Sequence, residues 1–209
     1  MTKSGKLTIT TFLTLDGVYQ APGGPNEDRD GGFEHGGWVV PYFDDDMFGF
    51  INDVFARPSA FLLGRRTYEI FASYWPRITD ANDPVATALN GLPKYVASRT
   101  LKRADWQGST IIRDVVKDVA QLKGQYAGEI QVHGSGEMIQ TLLANDLVDE
   151  LNLLLFPVLF GTGKRLFGSG VIPAAFTLAD SRTAKSGAVI STYRRAGKPT
   201  YGEVGPETA

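Results

Sequence analysis

The chain contains no cysteine. That excludes disulfides, thiolate nucleophiles and most zinc sites. Only two histidines are present, His35 and His133, far apart in the chain. A histidine-rich metal centre is therefore not expected, and no metal is assigned. No run of lysines and arginines offers a nucleic-acid face, and a formal charge of −2 gives no long-range field for collecting polyanions. No apolar stretch approaches the roughly 20 residues of a membrane span. The start, "MTKSGKLTITTFLTLDG", lacks the apolar core of a signal peptide. These absences exclude nucleic-acid and membrane partners and make a cytoplasmic location the expectation.

What is present fits an ordinary globular protein: 43% hydrophobic and 21% charged residues over 209 positions. That length suits one well-buried domain, expected over residues 1–195, with a polar, flexible tail over 196–209. Leu7 to Leu13 alternates as a strand does. Gly17 to Gly37 follows as a long loop rich in glycine and proline, of the kind used for lids and binding. Asp44, Asp45 and Asp46 open a helical stripe of Met47, Phe48, Ile51, Val54 and Phe55, as capping and the macrodipole favour. "SAFLLG" is a buried strand, and "RRTYEIFASYW" a helix that Pro76 stops.

"TDANDP" reads as loop, "KYVAS" as strand, "STII" as a further short strand, and Val115 to Lys123 as helix. "IQVHGSGEMIQTLL" is strand, glycine turn and helix. Leu151 to Phe160 is a near-continuous apolar run belonging in the middle of the fold. "GTGKRLFGSG" is a second glycine-rich loop. Thr177–Lys185 and Ala188–Arg194 read as an antiparallel pair turning at Ser186-Gly187. Strands alternate with helices, then finish as β-β. The expected fold is α/β, a mixed but mostly parallel sheet with helices on both faces and a C-terminal antiparallel pair. Ligands in such sheets gather at the carboxyl ends of the strands.

Three strand ends have chemistry suited to an anion. Gly134-Ser135-Gly136 offers backbone N–H groups and the positive end of a helix, although glycine there also serves backbone freedom alone. Three sharper motifs fail. A Rossmann fingerprint wants glycine where Ile139 stands, and a Walker loop wants serine or threonine after Lys164, where Arg165 stands. A hydrolase elbow around Ser135 wants glycines at His133 and Glu137. His133 reads as a core histidine. Arg65, Arg66 and Thr67 open a helix after a buried strand, and cations there oppose the macrodipole and want compensation. Ser98, Arg99 and Thr100 place hydroxyls and a guanidinium after another strand, which suits a ribose phosphate.

Taken together and in order from Lys6 to Arg194, "TFLTLDGVYQAPGG", "LLGRRTYEIFASYWP", "LPKYVASRTL", "IQVHGSGEMIQTLLANDLVDEL" and "LLLFPVLFGTGKRLF" resemble the dihydrofolate reductase-like family. That family includes the reductase domain of the bifunctional riboflavin-biosynthesis deaminase/reductase. The resemblance implies a dihydrofolate reductase-like fold that binds NADPH. Gly134, Ser135 and Gly136, with the helix behind them, would hold the diphosphate, flanked by Gly64, Arg65, Arg66 and Thr67. Ser98 and Arg99 would face the adenosine 2′-phosphate, and Thr100 and Glu137 would belong to the same coenzyme-binding set. Leu15, Asp16 and Gly17 match the family's "LDG" beside the nicotinamide and substrate.

The zinc deaminase half is absent, so the chain is expected to be a stand-alone reductase module. Dihydrofolate reductases bind pterin through an acid on the first helix, where this chain offers Asp44 to Asp46 or Asp53. The expected activity is NADPH-dependent hydride transfer to a small substrate of pterin, aminouracil or carbonyl type. Asp16 is the candidate for substrate binding or proton relay, with an Asp-Gly turn as its plain alternative. Trp38, in the loop through His35-Gly36-Gly37, is the candidate apolar wall for the substrate. A homodimer is expected from the resemblance. The rival reading is a non-catalytic NADP-binding or regulatory module, and a Ser135 hydrolase ranks last.

Overall fold

The computed structural model describes residues 4–168 and 172–205. Ser169 and Gly170, the end of the second glycine-rich loop, and 206–209 of the expected tail lie outside the described residues. Residues 196–205 carry no regular secondary structure.

Eight strands form one sheet: β1 (Lys6–Thr14), β2 (Pro58–Gly64), β3 (Lys94–Ala97), β4 (Ser109–Ile112), β5 (Glu129–His133), β6 (Glu150–Phe156), β7 (Phe176–Thr183) and β8 (Val189–Arg195). Their order is β4-β3-β2-β5-β1-β6-β8-β7. The first six in that order run parallel, while β8 is antiparallel to β6 and to β7. The fold class read from the sequence is the one observed. Parallel pairing needs crossovers; among the described residues five α-helices supply all but the one between β3 and β4: α1 (Asp45–Phe55), α2 (Arg65–Tyr74), α3 (Pro84–Gly91), α4 (Val115–Gln125) and α5 (Gly136–Ala144).

Two cores sandwich the sheet. Phe50, Val54 and Phe55 of α1, Tyr68 of α2 and Leu89 of α3 bury one face with Phe61, Leu63 and Phe156. Val119 and Leu122 of α4 and Met138, Ile139 and Leu142 of α5 bury the other with Leu7, Ile9 and Val132. Complete burial of a leucine or phenylalanine stabilises by about 1.5–3 kcal/mol, so these two layers supply most of the driving force.

Three local readings are corrected. The apolar run to Phe160 stays a strand only to Phe156, because Pro157 has no N–H to continue the ladder. Pro84–Gly91, not read as an element, is α3. Asp83 caps it, accepting from the N–H groups of Val85 and Ala86, and Pro84 stands where a helix tolerates proline. The centre of the sheet is also less apolar than its strands suggest. Thr10, Gln131, His133 and Asn152 are all buried, joined by bonds from Asn152 Nδ2 to Thr10 Oγ1 (3.1 Å) and between His133 Nε2 and Gln131 Oε1 (3.0 Å). A buried polar group is tolerable when partnered in this way.

Because six strands are parallel, six strand ends share one edge. Leu15–Gly17, Gly64–Thr67, Ser98–Thr100, Arg113–Asp114, Gly134–Gly136 and the segment after Phe156 line one rim.

Candidate coenzyme site at the strand ends

The β2 and β5 ends are neighbours in the sheet, and their turns interlock. Gly134 and Ser135 both take left-handed conformations, with φ of 65° and 67°. Such a conformation is costly for serine unless the surroundings fix it. Here they do. Ser135 Oγ accepts a hydrogen bond from the Gly64 N–H (2.9 Å) and shares one with Thr67 Oγ1 (2.6 Å). A Cβ on Gly64 would stand 2.7 Å from Ser135 Cβ and Oγ, so glycine is required for the junctions to meet.

Ser135 is thus a clamp between two turns and not a nucleophile. His133 confirms this from the other side: it stacks on Phe55 at 4.5 Å, its Nε2 faces Gln131, and burial pulls its imidazole down to about 3. It stays neutral, and its ring makes no hydrogen bond to Ser135.

The hydroxyl that holds the junction leaves the helix beside it uncapped. Neither Ser135 on α5 nor Gly64 on α2 gives a side-chain cap. The first N–H groups of a helix have no partner within it, so two adjacent helix starts face the rim with donors available to an anion. Tyr19 lies across this place. Its ring packs so closely on Gly136 that a Cβ there would overlap it. Burial first, then the nearby Glu137 and Asp28 carboxylates, push its phenol up to about 12, so it remains a neutral hydroxyl. Glu137 itself is exposed in the first turn of α5.

The arginines of α2 have the compensation that a cation at a helix start requires. Arg65 pairs with Glu69 one turn on at 3.1 Å. Arg66 pairs with Asp28 (3.2 Å) and Asp30 of the long loop.

Farther along the rim a cavity of about 410 Å³ is lined by Ser98, Arg99, Arg113, Glu137 and Met138, among others. Thr100 is exposed in the same turn, where its N–H bonds Ser98 Oγ at 3.2 Å. Arg113 was not singled out from the sequence, although it follows a strand end as Arg65 and Arg99 do. Its guanidinium donates to the carbonyls of Ser98 (2.6 Å) and Leu101 (2.7 Å). Neither Arg99 nor Arg113 has a carboxylate partner among the described residues. A larger hollow of about 840 Å³ beside α2 and α3 includes none of the strand-end residues in its lining.

At the β1 end the Asp16 carboxylate is tied into the protein. Both oxygens of Asp16 are engaged: Oδ1 accepts from Thr14 Oγ1 (2.6 Å), and Oδ2 from the Gly161 N–H (2.9 Å) and Arg165 (3.1 Å). Led by the Thr14 hydroxyl, these donors hold the carboxyl down to about 2. Through these bonds the side chain ties the β1 end to the 161–165 loop. Gly17, with φ of 78°, makes the turn the Asp-Gly reading expects, while Leu15 is exposed at the rim.

Trp38 is buried against Phe156 and Phe160, its indole N–H given to the Gln20 carbonyl at 2.8 Å. It packs with the core aromatics, as the 33–38 loop folds inward onto Phe156 and Phe160. Of the acids on α1, Asp44 accepts from the N–H groups of Met47 and Ser186, and Asp46 from that of Lys185. They hold the β7–β8 turn. Asp45 and Asp53 are exposed.

Residues 5–190 match the family model described as the RibD C-terminal domain. The chain is 27% identical over 193 residues to a Bacillus subtilis protein described as uncharacterized protein YyaP, covering 91% of this chain and 95% of that one. A putative riboflavin biosynthesis protein from Shewanella superposes with a TM-score of 0.68 at 24% identity, over 91% of this chain and 99% of the other. Enterococcus faecalis dihydrofolate reductase, solved with NADP(H), superposes at 0.56 and 14% identity, over 92% and 97%.

Proposed function

Because the chain belongs to the RibD C-terminal domain family, we propose that residues 1–195 form an NADPH-dependent reductase acting on a small planar substrate of aminouracil or carbonyl type. One observation carries this reading: α2 and α5, which start uncapped, are neighbours at the rim. The related enzyme solved with NADP(H) has the same fold.

The residues present fit the coenzyme. Gly134, Ser135 and Gly136 with the α5 start would receive its diphosphate, and Gly64 and Thr67 would fix that turn. Ser98, Arg99 and Arg113 would take the adenosine 2′-phosphate, a dianion that two guanidinium groups without carboxylate partners suit. Leu15 and Gly17 would lie beside the nicotinamide, with Asp16 as the positioning residue that anchors them. When bound, the coenzyme supplies the hydride, and the protein contributes orientation. For a pterin the acids left on α1 are Asp45 and Asp53, since Asp44 and Asp46 are committed to the β7–β8 turn.

Oxidation of NADPH, followed by absorbance with a panel of aminouracil, carbonyl and pterin acceptors, tests the reading. Tight binding without oxidation of any acceptor supports the non-catalytic NADP-binding module instead. A homodimer is part of the proposal. The sheet face carrying half-buried Leu153, Leu155 and Tyr193 and exposed Leu178 would meet its copy; sedimentation as a monomer would reject it.

A further inference from the structure

Asp28 and Asp30, on the long loop after β1, meet Arg66 of α2 and Lys164 of the second glycine-rich loop in one cluster. Asp28 bonds Arg66 at 3.2 Å and Lys164 at 2.6 Å. Asp30 bonds Lys164 at 3.0 Å and also pairs with Arg66. Two carboxylates balance two cations. The cluster is built, because buried Gln20 organises it: its amide nitrogen donates to the carbonyls of Asp28 and Asp30, and its oxygen accepts from the Lys164 N–H. Its location is fixed too. Arg66 adjoins Thr67, whose hydroxyl bonds Ser135, and Tyr19, which packs on Gly136, donates its backbone N–H to the Lys164 carbonyl at 3.0 Å.

Three elements therefore bring two cations to the flank of the uncapped helix starts, where the chain's own carboxylates hold them. Arg66 is 53% exposed and Lys164 29%, so an incoming anion can reach both.

We propose that Asp28 and Asp30 are internal stand-ins for ligand phosphates: they keep Arg66 and Lys164 paired in the free protein and give them up to a diphosphate-bearing ligand, which makes Lys164 a phosphate-binding residue. The inference rests on the coenzyme reading above. It has a definite sign. Carboxylates beside a diphosphate repel it and compete for its cations, so removing their charge strengthens binding. If they served only to hold the loop in shape, removing them would weaken it.

Inorganic pyrophosphate, titrated calorimetrically into the full chain, separates the two. The Asp28→Asn/Asp30→Asn variant is expected to bind it about tenfold more tightly than the wild type, with a steeper dependence on salt. Lys164→Met, in otherwise unaltered protein, is expected to bind it about tenfold more weakly. Equal or weaker binding by the double variant at an unchanged melting temperature overturns the proposal. So does an unchanged affinity in Lys164→Met, which still decides the matter if the double variant fails to fold. Pyrophosphate carries no nicotinamide, so a chain that answers as expected yet neither binds nor oxidises NADPH has lost the reductase reading and kept this one.

Discussion

The five α-helices of the described residues start in two ways. α1, α3 and α4 begin on Asp44, Asp83 and Asp114, each accepting hydrogen bonds from its own first turn. α2 and α5 begin on Gly64 and Ser135, which cap nothing. A cap contributes about 1 kcal/mol, so two neighbouring helices forgo a stabilisation that the other three take. The difference teaches where the molecule is complete in itself. Three helix starts are closed by the chain's own carboxylates; the pair at the β2 and β5 ends, where the proposed coenzyme site lies, is not.

The largest effect expected from this division is on coenzyme choice. Arg99→Ala combined with Arg113→Ala should weaken NADPH by about 100-fold and NADH by less than about threefold, since charge-assisted hydrogen bonds are worth roughly 1.5–3 kcal/mol each. Fluorescence titration with both coenzymes reads the ratio, and equal weakening would remove the 2′-phosphate from this cavity. Next comes the joint between the uncapped helices. Gly64→Ala drives a methyl against Ser135 at 2.7 Å. Overpacking at such a contact costs about 2 kcal/mol, a fall of roughly 4–8 °C in melting temperature for a chain of this size, and NADPH affinity should fall with it.

Asp16→Asn follows. Its folded carboxyl lies near 2, below the ordinary aspartate value of 3.8, so the stability it lends is present above about pH 4 and disappears as pH drops toward 2. The variant should be less stable than the wild type by about 1.5 kcal/mol at neutral pH, and the two should converge in acid. Denaturant melts across pH 2–7 check this. Turnover should keep its neutral-pH profile, and loss of one limb in the variant would return Asp16 to the role of proton relay.

Periodicity carried most of the fold: the strands at 58–64 and 109–112, the acidic start of α1 and the terminal hairpin all stand where alternation and turn residues place them. α3 escaped because Pro84 and Asp83 read as loop until the cap is seen to close on Val85 and Ala86. The rim was legible as a set of strand ends, because parallel strands oblige their βα turns to share an edge. Long-range partners were not. Nothing local in "LDG" says that Asp16 is held by Gly161 and Arg165, or in "HGGW" that Trp38 points into the core, since both depend on loops more than a hundred or about twenty residues away. Arg113 and Lys164, which enter only with the proposals above, were not singled out in the sequence for different reasons. Arg113 obeys the same strand-end rule as Arg65 and Arg99, so that signal was available. Lys164 was weighed only as part of a failed Walker loop, and its pairing with Asp28 spans separate loops.

The smallest effect sets the sharpest limit on the comparison. Asp83→Ala removes a cap that is local to α3, accepting from Val85 and Ala86 at 2.9 Å each. The expected loss is about 1 kcal/mol, roughly 2–4 °C, with most of it recovered by Asp83→Ser, because a serine oxygen can accept from the same donors. NADPH affinity should not move in either variant, since Asp83 lies at none of the strand ends that form the rim. Melting curves and coenzyme titrations on the same preparations read both quantities. If losing this cap weakened NADPH as much as Gly64→Ala does, helix starts closed by the chain and helix starts left to a ligand would not be separate classes, and the uncapped pair would say nothing about where the coenzyme binds.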